Sequence, residues 1–129
     1  MRSFLTTWRT AVWLALGLAI STPPTAMAQS APDRKVQAAY ELAMKCFVAN
    51  GFVENRQLDA HDQAGAEAAK EREKAAFDMA VQLGKQLDYN NERINRDLDL
   101  FQQRELPRMV RDSEYFRQTE ASCKAYGLM

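Results

Sequence analysis

Apolar residues recur at three- and four-residue spacing through most of the chain after Gln29. Val36, Ala39, Tyr40, Ala43, Cys46 and Phe47 share one face of a helix predicted from about Asp33 to Asn50. Ser30 is its expected N-cap, Pro32 falls in its first turn, and Asn50-Gly51 reads as its C-terminal stop. Leu42, Met44 and Val48 lie off that stripe. The helix is therefore apolar over most of its circumference, and it should be either the most buried helix or part of a second interface. Gly51 to Ala60 reads as a connection whose Phe52, Val53 and Leu58 fold back onto the core.

A second helix is predicted from about His61 to Leu87, with Asp59 as its N-cap. Ala69, Ala76, Ala80, Leu83 and Leu87 fall on one face, flanked by Phe77 and Met79, and the alanines allow a neighbouring helix to come close. The mixed-charge run Lys70 to Lys74 reads as a solvated face. Asp88 to Asn91 is a turn rich in capping residues, and a third helix follows it. Ile94, Leu98, Phe101, Met109, Phe116, Thr119, Cys123 and Tyr126 hold one face if that helix passes through Pro107. Proline removes a backbone hydrogen bond and crowds the preceding turn, so a kink or break is expected near Leu106. No run of alternating β-branched residues, internal repeat or low-complexity tract interrupts this pattern.

Residues 1–28 have a different character. Arg2 and Arg9 precede an unbroken apolar stretch from Ala11 to Ile20, Pro23-Pro24 ends it, and Ala26-Met27-Ala28 is a small-x-small cleavage site. A membrane anchor would need roughly 17–25 apolar residues. The expectation is a cleaved export signal, a mature protein starting at Gln29, no stable membrane anchor afterwards, and a periplasmic or secreted location. Position 29 is not cysteine, which excludes a lipoprotein anchor, and no twin-arginine pair points to export in the folded state.

Two cysteines follow the signal, Cys46 and Cys123, an even number suited to an oxidising compartment. A bridge between them would close a 77-residue loop and stabilise the fold by about 4 kcal/mol on a chain-entropy basis. It also selects a topology. Four helices running up-down-up-down would put the cysteines at opposite ends, whereas a disulfide holds its Cα atoms roughly 4.4–6.8 Å apart. If the last helix is one long element kinked at Pro107, the order is up-down-up and both cysteines reach the same pole. The expected fold is thus an all-α, up-down-up three-helix bundle, residues 29–129 forming one domain stapled by one disulfide, with four short helices as the alternative.

Charge narrows the choice of partner. Removing Arg2 and Arg9 from the 17 basic residues leaves 15 against 17 acidic ones, a net charge of −2 with His61 neutral. That balance argues against nucleic acid, whose capture needs a basic excess. Catalytic constellations are missing too. His61 is the one histidine, flanked by Asp59 and Asp62, and no second histidine or free cysteine accompanies it as a metal ligand. The serines lack an identifiable base, and no glycine-rich phosphate loop occurs. A haem held by His61 and one of Met44, Met79 or Met109 is conceivable, but methionines in an apolar stripe usually fill a core. No catalytic residue, metal or cofactor is expected.

Two surface features remain. Arg104, Arg108 and Arg111 share a face of the last helix and form a candidate contact for an anion or an acidic partner, although Arg108 is spaced to pair with Asp112. Leu42, Met44, Val48, Leu100, Leu106 and Val110 are surplus to the core stripes and form a candidate interface. The expected function is non-catalytic binding of an unknown protein partner, or self-association into a homo-oligomer. The alternative is a small-ligand, metal or haem-binding bundle.

Overall fold

The computed structural model describes residues 30–129, so the expected signal segment and its cleavage site lie outside the described residues. Four helices follow one another: α1 (Ala31–Asp59), α2 (Gln63–Gln86), α3 (Asn91–Arg111) and α4 (Ser113–Ala125). The class is all-α, and the first three helices run up, down and up. Phe47 packs on Phe77, Arg72 bonds to Asn50 and Glu73 lies against Gly51, pairings that make α2 antiparallel to α1. Tyr40 meets Asp97, whereas Val48 and Ala49 meet Met109, so α3 runs with α1.

The helix α1 is the hub of the domain. Its N-cap is the expected one, with the Ser30 hydroxyl accepting from the Asp33 backbone N–H. Its end differs from expectation. The helix runs through Gly51 to Asp59, because Asn50 spends its side chain elsewhere instead of capping. The Asn50 amide donates to the Cys46 carbonyl at 2.9 Å and the Leu128 carbonyl at 2.8 Å, and its oxygen accepts from Arg72 at 3.2 Å. The expected connection Gly51–Ala60 is almost all helix, and the left-handed residue that ends it is His61, at φ 59°. Asp62, and not Asp59, caps α2 by accepting from the Gly65 N–H at 2.9 Å.

Helices pack on two sides of α1, and this corrects part of the candidate interface. Met44 and Val48 are buried core residues, and Leu42 is half-buried against the core. A helix covered by α2 on one side and by α3 and α4 on the other needs apolar residues around most of its girth. The surplus on α1 is therefore the signature of a central helix and needs no second chain to explain it.

The last predicted helix is broken, but six residues later than expected. Pro107 sits inside α3, and the break falls at Asp112. Asp112 ends one helix and starts the next: its N–H donates to the Arg108 carbonyl, and its carboxylate accepts from the Tyr115 N–H at 2.9 Å. A good N-cap thus decides the boundary, while a proline near the C-terminal end of a helix is accommodated. Beyond the break, α4 lies against α1. Phe116 packs edge-on to Phe52 with ring centres 5.0 Å apart, and Cys123 bonds to Cys46 with Cα atoms 5.6 Å apart. Among the described residues, four helices and the staple coexist, against the expectation that four helices would part the cysteines, because α1 extends to Asp59 and leaves Cys46 at its middle instead of near its end.

Candidate interaction surface on α3

The outer half of α3 leaves two large aliphatic side chains uncovered. Its inward side holds Ile94, Glu105 and Met109. At 3.6 residues per turn, Leu100, Gln103, Pro107 and Val110 point the other way. Leu100 is 55% exposed and Val110 61% exposed. Leu106 is intermediate: it packs against the buried Val48, Ala49 and Met109 and also lines the surface beside Pro107. Of the six candidate interface residues, Leu100 and Val110 are open, Leu42 and Leu106 are half-buried, and Met44 and Val48 are core.

The arginines flank this apolar strip on the side nearer α1, and they do not act alike. Arg104 stacks its guanidinium 4.4 Å from the centre of Phe101 while its Nε donates to Glu105 at 2.7 Å. Arg108 lies 3.6 Å over the Tyr115 ring. It forms no pair with Asp112, whose carboxylate is occupied in capping α4, so the expected neutralisation of Arg108 is absent. Arg111 donates back to the Pro107 carbonyl at 3.2 Å and does not join the other two.

A buried acid organises the group. Glu105 is 2% exposed and accepts from the Tyr115 hydroxyl as well as from Arg104. Burial pushes its carboxyl up, but these two bonds and the nearby Lys45 charge outweigh burial and hold it below the usual carboxylate range. Glu105 therefore stays ionised and fixes Tyr115, on which Arg108 stacks and which Lys45 approaches from α1 at 5.5 Å. Lys45, Arg104 and Arg108 line one open groove of about 410 Å³ between α1 and α3, together with Glu41 and Glu105. Neither Lys45 nor Arg108 takes part in an ion pair among the described residues. The groove can accept an oxyanion, and the apolar strip beside it can accept an aliphatic or aromatic side chain.

On its other flank α3 faces a cleft. Helices α2 and α3 are held together near their connecting turn and diverge beyond it, with α1 as the floor. The turn is locked by Tyr40, which donates to Asp97 at 2.9 Å, and by Tyr89, which donates to Gln37 at 2.7 Å. Burial and then the Asp97 bond push the Tyr40 hydroxyl well above the ordinary phenol range, so it remains a donor. Further along, a cleft of about 120 Å³ is lined by Phe47, Val48, Phe52 and Leu106, with Glu54 and Glu73 among its polar residues. The helical period gives the signal that Glu73 and Arg72 turn inward and are half-buried. They sit three and four residues from Ala69 and Ala76 on the inner side of α2, although the charge run around them reads as a solvated face.

The remaining sequence-level candidates are scattered. His61 is exposed at the α1–α2 turn, while Met44 and Met109 are packed in the interior. Among the described residues, no group of three or more His, Cys, Asp or Glu is arranged to hold a metal ion, and no helix is long and apolar enough to cross a membrane. The chain matches no protein-family model, no curated protein and no solved structure.

Proposed function

We propose that this is an exported, non-catalytic helical protein that binds another protein, or a second copy of itself, through the outer face of α3. The observation that carries the reading is the pairing of exposed Leu100 and Val110 with cations whose positions are set from beneath by Glu105 and Tyr115. Large aliphatic side chains gain most when covered, and neighbouring guanidinium groups orient what covers them. The partner this favours presents an apolar side chain next to a carboxylate. Export is supported by the signal-like pattern of residues 1–28 and by the disulfide, a bond that persists in oxidising compartments.

Replacing Leu100 and Val110 together by Asp tests the surface. Sedimentation velocity over a wide concentration range, and retention of partners from a periplasmic or culture extract, should both show weaker association, with far-UV helicity unchanged. Association equal to that of the native protein would exclude the α3 face. Export has its own check: secreted material should have the intact mass of a chain starting at Gln29, and a membrane-retained chain still carrying Met1 would overturn it.

A further inference from the structure

The cleft between α2 and α3 holds a pair of acids that the α3 surface does not use. Glu73 reaches from the middle of α2 to α1 and lies over Gly51, where a Cβ would stand 3.3 Å from Glu73 Oε1. Glycine at that position makes room for the carboxyl. Glu54, one turn further along α1, lines the same cleft, close enough for its carboxyl to act on that of Glu73. Two carboxylates are both acceptors, so a bond between them exists only while one proton is held there.

The other charged groups nearby compensate the pair only in part. On α2, Lys70 lies one turn before Glu73 and favours its ionised form, but Arg72 is turned to Asn50 and Lys74 is paired with Asp78. The cleft takes Gln102 and Leu106 from α3, neither of which titrates, and nothing from α4. On α1 the remaining polar neighbour is Asn55. Neither glutamate joins an ion pair among the described residues.

We propose that Glu54 and Glu73 form a proton-sharing clasp between α1 and α2, closing the seam while one proton is held and loosening it, beside Leu106 and the face of α3, when that proton leaves. Burial, and then the bond and charge of Glu54, push the Glu73 carboxyl up to about 7. An unfolded glutamate titrates near about 4.3. The folded chain therefore holds the proton more tightly than the unfolded chain. The stabilisation is complete below the unfolded value and is lost as pH rises through about 7. Because Leu106 borders both the cleft and the outer surface of α3, the clasp couples the neutral pH range to the region where a partner would dock.

Two measurements on the full disulfide-bonded protein test the clasp. Side-chain carboxyl chemical shifts of glutamate-labelled protein should show one member of the pair completing its titration near neutral pH. Ordinary acidic titration of both would overturn the proposal. Urea unfolding at about pH 5 and about pH 8 should show the native protein weaker at the higher pH. Glu73→Gln keeps a donor to Glu54 without needing the proton, so it should remove most of that difference. Between the two pH values the native folding constant should fall about tenfold relative to the variant, the full linkage being reduced by partial solvent exposure. The comparison cancels every other titrating group, His61 included. Equal pH slopes for the two proteins overturn the clasp, and if Glu73→Gln does not fold, the carboxyl titration of the native protein decides.

Discussion

The inner face of α2 and the outer face of α3 invert the usual link between side-chain size and burial. On α2, Ala66, Ala69, Ala76 and Ala80 are at most 2% exposed, and Gly84 is buried with them. On α3, Leu100 and Val110 stand more than half in solvent. Small residues are buried because they let α1 and α2 come close enough to exclude water along their length. Large ones are exposed because nothing stands opposite them. Area removed from water, at about 25 cal/mol per Å², depends on what covers a side chain and not on how apolar it is. The α1–α2 seam should therefore carry stability, and the α3 surface should carry little of it.

The disulfide provides the harshest way to break this comparison, because it fastens α4 to α1 and makes no covalent link across the α1–α2 seam. Cys46→Ala combined with Cys123→Ala should cost about 4 kcal/mol. For a domain of this size that is on the order of 20 °C in melting temperature. Hydrogen exchange should locate the damage in α4 before α2. Uniform loss of protection through both helices would show that the seam does not stand alone.

A smaller effect is expected within the seam. A Cβ at Gly84 would stand 2.8 Å from Ile94 Cδ1 and 3.2 Å from Tyr40 Cε2, both buried side chains with little room to yield. Gly84→Ala should therefore destabilise by about 1–3 kcal/mol, although alanine is the better helix former by about 1 kcal/mol. A denaturation midpoint at or above the native value would mean that the seam is looser than these distances indicate. The smallest effect belongs to α3: Leu100→Ser should change stability by less than about 0.5 kcal/mol. A loss of 2 kcal/mol or more would mark Leu100 as structural and weaken the case for docking there.

Legibility in the sequence followed the same division. Helical periodicity, the Ser30 cap and the cysteine pairing are local or pairwise properties, and each could be read directly. The failures on α1 involve partners distant along the chain, whereas the one at Asp112 is a competition between local roles. Asn50-Gly51 is a good stop signal in isolation, but Asn50 is claimed by Arg72 and by the Leu128 carbonyl 78 residues away. Met44 and Val48 looked superfluous because a single stripe presumes one packing neighbour, and α1 has neighbours on both sides. Asp112 was assigned to Arg108 by spacing, yet capping competed for the same carboxylate and Tyr115 claimed the arginine. The arginine row was visible as a row. Its division into a stacked pair and a separate Arg111 depended on Glu105 and Tyr115, which periodicity alone does not connect.

The position of Cys46 in the middle of α1 also sets an order of assembly. As the chain is made, Cys46 precedes its partner by 77 residues, so the thiol must wait until almost the whole domain exists. During that interval the contacts within reach are those between α1 and α2, neighbours in sequence joined by a short turn, and local contacts form fastest. The hairpin can therefore assemble around a reduced Cys46, leaving the sulfur side open to α4. Oxidation then acts as a completion step: it joins the last helix to an existing scaffold, and the Leu128 carbonyl beyond Cys123 reaches the waiting Asn50 amide. A chain halted before Cys123 would lack both fastenings and keep its first cysteine available for exchange with other thiols.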